Sequence, residues 1–396
     1  MRKQSWKAIQ RKYGGEILEW LNRSNQLDKK LDEVSEALYE ILSDKVASEK
    51  SARMVWDAVP AVLAKCNDQK TYELPGAPLA YAWLHLLDRY VRSWVALNFL
   101  LEKCLLPMAS KGINALDIGT GPGPSGFAIS DFYNSLSDYF ESIGKPEYGQ
   151  PIKVNCVEYD QSTNYLRHNL AELLYAKYRP GSNRESSVLS LCNAIQDFGD
   201  LKPVEERKKT RSTLQSEEYE LFDVIHSRVD YEPVYSAQEI NHHVQSIHRY
   251  KFIVFSNFLT TTGTVQKFKS NIIELLNDAN AGTVLLVIGG IGKVYPEIYQ
   301  FVDTIAEEAG FKCVIENQKV RSEDSGCSDK IYKEGLRFFD HLSGLAKDHS
   351  EETKVVRSYF SGNRTVLPFS QIRAYRKPGT SDRNKSSLDP SKSQPS

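Results

Sequence analysis

Apolar residues recur at three- and four-residue steps through the first quarter of the chain, as in Leu18, Leu21, Leu27, Leu31, Val34, Leu38 and Leu42. That spacing gathers them on one side of an α-helix, so residues 1 to about 110 are expected to form a helical region with an apolar stripe turned inward. Pro75-Gly-Ala-Pro78 interrupts the pattern, and residues 79–106, rich in Leu, Trp and Tyr, predict one or two helices packed on a sheet. From Ile113 onward the pattern changes to short apolar runs bounded by Gly, Asn and Asp, which is how buried strands alternating with helices read.

The first such run, Ile113-Asn-Ala-Leu-Asp-Ile118, predicts a strand that turns onto a helix through Phe127-Ala-Ile-Ser130, with residues 131–148 as a polar connection. Residues 152–160 predict a second strand, followed by a helix carrying Leu166, Leu170, Leu173 and Leu174. Residues 187–196 predict a third. Two segments compete for the fourth, 221–226 and 251–259. The second is chosen, because a helix over 265–277 and the turn Asn277-Asp-Ala-Asn-Ala-Gly282 lead from it into a fifth strand over 283–288. Gly289-Gly-Ile-Gly292 closes that strand, residues 295–309 predict a helix, and residues 310–316 predict a sixth strand. Ser370-Gln-Ile-Arg-Ala-Tyr375 alternates and suits a closing antiparallel strand.

This order predicts an α/β, doubly wound sheet over residues 111–376 behind a helical N-terminal region. Insertions are expected at about 200–250 and at 317–366, where Phe338, Phe339 and Phe360 predict that parts fold. From Lys377, Ser, Pro, Lys and Asp dominate, and residues 377–396 are expected to be a disordered tail.

Composition narrows the class. Hydrophobic residues at 41% and charged residues at 26% describe an ordinary globular chain of 396 residues, and a net charge of -1 gives no global attraction to nucleic acid. Any such binding needs a local basic face. Arg207, Lys208, Lys209 and Arg211 offer one, diluted by glutamates; Arg2, Lys3, Lys7, Arg11 and Lys12 read rather as a solvated helix end. The six cysteines have no C-x-x-C spacing, which argues for reduced thiols and against a metal site built from close pairs. No apolar run approaches the roughly 18 residues of a membrane span, and no signal-type segment follows Met1, so a cytoplasmic protein is expected.

Candidate chemistry gathers at Asp117-Ile-Gly-Thr-Gly-Pro-Gly123. Glycines at such a turn put bare backbone against a ligand at a helix N-terminus. Gly121-Pro-Gly-Pro-Ser-Gly126 also satisfies the dinucleotide pattern G-x-G-x-x-G, and a merely structural turn is the bland alternative. Glu158, at the end of the second strand, stands where doubly wound folds bind ribose hydroxyls. Tyr159 is placed to cover an adenine face, Asp160 to cap a helix, and Asn193 or Asp197 to read an adenine amino group. Trp83, His85, Tyr90 and Trp94 are read as packing, and His226, His242 and His243 as surface or structural side chains rather than bases or metal ligands. Should segment 221–226 be the fourth strand instead, Arg228, Asp230, Tyr231 and Glu232 would come to the rim of the site.

The Asp-x-Gly-x-Gly-x-Gly pattern resembles the first motif of class I S-adenosylmethionine (SAM)-dependent methyltransferases. That resemblance implies a seven-stranded sheet, SAM as cofactor, and methyl transfer. It implies that Gly119, Thr120, Gly121 and Gly123 form the turn admitting the methionine part, Asp117 binds its amino group, Glu158 holds the ribose, and Ser256 and Asn257 line the transfer site. Asp117 favours this reading over a dinucleotide, since a carboxylate repels a pyrophosphate and attracts a cation. A narrower likeness, carried by Ala77-Pro-Leu-Ala-Tyr-Ala-Trp83, Leu116-Asp-Ile-Gly-Thr-Gly-Pro-Gly123 and Phe255-Ser-Asn-Phe-Leu259, is to the methyltransferase-like proteins of the mitochondrial small ribosomal subunit, whose clustered cysteines are absent here. Association with the ribosome, a ribonucleoprotein, is one possibility under that likeness; RNA or another macromolecule is the expected acceptor because the helical N-terminal region, the Arg207 to Arg211 cluster and the insertion after the sixth strand supply more surface than a small substrate requires. The Asn/Asp/Ser-Pro-Pro-aromatic tetrad of amino-methylating enzymes is absent, with Asp230-Tyr-Glu-Pro233 only a faint echo. The alternatives are a non-catalytic SAM-binding module and an NAD-dependent oxidoreductase.

Overall fold

The computed structural model describes residues 5–64, 74–109, 112–150, 152–158, 161–178, 250–293, 295–322, 325–347, 351–361 and 367–379. Among the described residues six strands, against the seven expected, form one sheet: β1 (Ile113–Ile118), β2 (Ile152–Val157), β3 (Phe252–Ser256), β4 (Val284–Gly289), β5 (Lys312–Val320) and β6 (Ser370–Arg376). Their order is β2-β1-β3-β4-β6-β5. The first four run parallel, and β6 lies antiparallel to both β4 and β5. β3 falls in the segment chosen as the fourth strand. The expected third strand and the rival segment 221–226 lie outside the described residues, as do the basic cluster 207–211 and the three histidines read as surface or structural.

Side chains of period two divide the sheet into faces. Ile113, Ala115, Phe252, Val254, Val284, Leu286 and Ile288 share one core with the N-terminal helices. Leu116, Ile118, Ile253, Phe255, Leu285 and Val287 join a second core, closed by the helices α7 (Thr262–Asp278) and α8 (Tyr295–Glu308). Both faces being covered, these strands read as continuous apolar runs rather than alternating ones.

The helical side begins with α1 (Trp6–Arg23), α2 (Gln26–Lys45) and α3 (Glu49–Leu63). Residues 79–106 yield a single helix, α4 (Ala77–Glu102), with Pro78 in its first turn. α5 (Pro124–Ser142) lies along it and absorbs most of the stretch read as a polar connection. The correction has a physical cause. Phe132, Tyr133, Leu136, Tyr139 and Phe140 recur at helical steps, while Ser125 and Asp131, nearer the start of the helix, are paired with α4. Tyr90 donates to Asp131 Oδ2 at 2.8 Å, and the hydroxyls of Ser93 and Ser125 meet at 2.8 Å. Beyond β2, the chain forms α6 (Gln161–Leu173), extended by a wider turn over Leu174–Tyr178.

β5 runs four residues past its expected end at Glu316, to Val320, through two register shifts, with Asn317 at a φ of 51°. The expected insertion after it begins as strand and continues as α9 (Ser325–Leu345) and α10 (Glu351–Ser361). These pack on the N-terminal helices. Trp83 donates to the Gly335 carbonyl at 3.0 Å, stacks on Phe360 and meets Phe338 edge-on; Phe339 takes Trp56 edge-on. Gly335 is obligatory there, because an added Cβ would lie 2.2 Å from the Phe360 ring. Among the described residues no helix is long and apolar enough to cross a membrane.

Candidate cofactor site at the β1 turn

β1 pairs with β2 on one side and β3 on the other, so chain order reverses there, the place where open α/β sheets bind ligands beyond the strands' carboxyl ends. The ends are level: Ile118 stands opposite Val157 and Phe255, and Ser256 opposite Ile288. From β1 the chain turns through Gly119, Gly121 and Gly123, with φ of 65°, 58° and 94°. Side chains rarely adopt that region, so three glycines together specify this turn. Two of them also make room for neighbours. A Cβ at Gly119 would lie 2.3 Å from the Phe258 ring, and one at Gly123 2.7 Å from Arg167 Cδ. At Gly121 the nearest atom would be Tyr81 Cε1 at 3.5 Å, so the α-carbon of this glycine faces the most open part of the turn. Gly123 then caps α5, and Pro124 starts it.

Asp117 closes β1 with no exposed surface. Thr120 Oγ1 donates to its Oδ2 at 2.6 Å, while Oδ1 is buried without a hydrogen-bond partner. Burial pushes its carboxyl up to about 7, against the pull of the Thr120 hydroxyl, the Arg167 charge and the nearby Gly126 amide; Glu158 adds to the push. Glu158, half-buried, accepts the Gly121 N–H at 2.7 Å. Arg167 Nη1 donates to the Gly121 carbonyl at 3.1 Å. One peptide residue is thus held on both sides by the end of β2 and by α6.

Ser256 is buried at the end of β3, and Asn257, at a φ of 54°, donates its amide to the Ile288 carbonyl at 2.8 Å and its Nδ2 to Ser256 Oγ at 3.3 Å. The structure thus brings Asp117, Gly119, Thr120, Gly121, Gly123, Glu158, Ser256 and Asn257 to one end of the sheet. Tyr159, Asn193 and Asp197 lie outside the described residues. Trp83, Tyr90 and Trp94 are buried packing residues, as read. His85 is half-buried, and burial pushes its imidazole below the ordinary value. Sequence reasoning missed Arg167, Phe258 and Tyr81. For Arg167 the signal was present: it falls between Leu166 and Leu170, on a stripe otherwise apolar. Among the described residues no group of three or more His, Cys, Asp or Glu side chains could hold a metal ion.

No family model and no curated protein matches this chain. Solved structures do, distantly. A SAM-dependent methyltransferase from Geobacter sulfurreducens in complex with S-adenosylhomocysteine is 11% identical over 75% of this chain and 95% of its own, with a TM-score of 0.33. One from Thiobacillus denitrificans, also with S-adenosylhomocysteine, is 11% identical over 75% and 96%, with a TM-score of 0.33. Phosphoethanolamine N-methyltransferase 2 of Haemonchus contortus, in complex with phosphomonomethylethanolamine and S-adenosylhomocysteine, is 13% identical over 72% of this chain, with a TM-score of 0.30. This chain spans about half, 52%, of the nematode enzyme. Likenesses this distant transfer no activity, and the fold of this chain stands on its own strand order.

Proposed function

We propose that this chain binds SAM at the β1 turn and transfers its methyl group to RNA or another macromolecule. The observation that carries the proposal is the bare α-carbon of Gly121, where an added Cβ would meet nothing closer than Tyr81 Cε1 at 3.5 Å, in a turn of three left-handed glycines that follows Asp117 and is hydrogen-bonded to Glu158. The residues fit the cofactor. Its methionine part carries an amino cation and a sulfonium, and the buried Oδ1 of Asp117 is an acceptor still without a donor. Glu158 is at the height where ribose hydroxyls are held, and Gly119 to Gly123 supply the close backbone approach. A dinucleotide fits poorly, because its pyrophosphate would need the very amide of Gly121 that Glu158 occupies, beside a second carboxylate.

When bound, SAM supplies a methyl group on a good leaving group. What remains for the protein is alignment: orienting a nucleophile in line with that methyl and accepting its proton where the acceptor carries one. Ser256 and Asn257, hydrogen-bonded to each other at the end of β3, are the polar groups proposed to orient the acceptor. A large acceptor is supported by the helical layer of α1 to α4 with α9 and α10, which offers far more surface than a small molecule needs. The narrower sequence likeness makes a ribosomal particle one acceptor to try.

Calorimetric titration of SAM, S-adenosylhomocysteine and NADH into the protein tests the cofactor. SAM should bind, and Gly121→Val should abolish it, since a β-branched residue is strained at that positive φ. Binding of NADH alone would replace this reading with the oxidoreductase. Transfer is tested with methyl-tritiated SAM and fractionated RNA, protein and metabolites. Label in RNA or protein that disappears with Asp117→Ala supports the proposal, whereas SAM binding without transfer to any fraction would leave a non-catalytic module.

A further inference from the structure

Arg167 sits in the middle of α6 with its whole side chain withdrawn from solvent. A guanidinium cannot shed its charge, so burying one is costly unless its N–H groups and its charge are matched. Here the matching is uneven. Nη1 donates to the Gly121 carbonyl at 3.1 Å, while Nε and Nη2 are buried without partners. The stem passes against Gly123 only because that residue lacks a Cβ, which would lie 2.7 Å from Cδ and 2.9 Å from Cγ. Its charge acts on Asp117, and the residue whose carbonyl it holds gives its N–H to Glu158.

We propose that Arg167 is a positioning residue of the cofactor site, its guanidinium fixing the Gly121 carbonyl and balancing the charge that Asp117 and Glu158 carry together. The turn then presents Glu158 and, as the pH rises through about 7, an ionised Asp117 to a cationic ligand; without the counter-charge Asp117 would ionise only at higher pH. The groups acting on Asp117 are Thr120 and the Gly126 amide from its own turn and α5, Glu158 from the end of β2, and Arg167 from α6. Arg167 is the one cation among them. The inference rests on the SAM reading and adds a partner to the site.

The test uses the full chain as wild type, Arg167→Met and Arg167→Lys. Methionine keeps the stem beside Gly123 and removes the charge; lysine keeps the charge and loses the fork. Calorimetric titration with SAM from about pH 6 to about pH 9 should show Arg167→Met about tenfold or more weaker near neutral pH, recovering as the pH rises and Asp117 ionises, with Arg167→Lys parallel to wild type throughout. A loss by Arg167→Met that is the same at every pH, or no loss, overturns the proposal and leaves Arg167 a prop for α6. Should Arg167→Met not fold, Arg167→Lys decides: a pH-dependent loss in it counts against charge balance. If wild type binds no SAM, the cofactor reading fails separately, and thermal melts still judge Arg167. The melting difference between wild type and Arg167→Met should widen as pH rises through neutrality, and a constant difference overturns the charge role.

Discussion

Two arginines are buried among the described residues, one beside β1 and one on β6, and they are matched in different ways. Arg373, on β6, donates to Asp303 Oδ2 at 2.6 Å, lies 3.5 Å from Glu316 Oε1 and stands over the Tyr299 ring. The other oxygen of Asp303 accepts the Tyr375 hydroxyl at 2.7 Å, and burial with that carboxylate pushes the phenol well above its ordinary value. Arg167, beside β1, holds one carbonyl and leaves two nitrogens unmatched. A directly paired charge serves the fold, and breaking it leaves a carboxylate stranded. An underpaired buried charge costs folding stability, and under the proposed function that stability is given up for the cofactor site.

The largest test of that contrast is Asp117. Its carboxyl titrates at about 7 when folded against 3.8 in the reference state, so between those values the folded protein binds the extra proton and stability falls as pH rises. Roughly three pKa units correspond to about 4 kcal/mol lost by neutral pH. Denaturant melts of wild type should show that slope, and Asp117→Asn should flatten it while weakening SAM at least about tenfold. A flat wild-type profile would remove Asp117 from the strained half of the comparison.

Next in size, Arg373→Met should cost about 2 to 3 kcal/mol in urea melts, since Asp303 remains partly solvated and the full penalty of a buried orphan is not reached. SAM affinity should stay within about twofold of wild type, because the change breaks a fold contact and no site contact. Thr120→Val should be smaller, about 1 kcal/mol in SAM affinity near neutral pH, through loss of the hydroxyl that favours ionised Asp117. Smallest in binding is Ser256→Ala: SAM should bind within about twofold of wild type, with the loss confined to the methyl-transfer rate. Weakened SAM binding in Ser256→Ala would move Ser256 from the acceptor side to the cofactor side.

What was legible in the sequence was what local geometry enforces. Asp117 and the three glycines could be read because a turn of positive φ admits few other residues, and residues 251–259 could be chosen over 221–226 from the elements that follow them. What escaped depended on partners distant in sequence. α5 looked polar over much of its length because Asp131 and Ser125 are satisfied by Tyr90 and Ser93 of another helix. The segment after β5 looked like an appendage, whereas Gly335, 252 residues away by its hydrogen bond, and Phe360, farther still, close against Trp83. Arg167 stood among leucines with no mark that its guanidinium reaches the glycine turn.

The placement of β6 carries a kinetic consequence. It is the last of the six described strands, yet it lies between β4 and β5, and among the described residues β5 pairs with β6 alone. During synthesis β4 is therefore an open edge, and β5 has no strand to pair with, until residue 376 has left the ribosome. Joining them closes loops of high sequence separation, the slow kind of step, and the waiting β4 edge is fully apolar. A nascent chain stalled short of that point would be the aggregation-prone species of this protein.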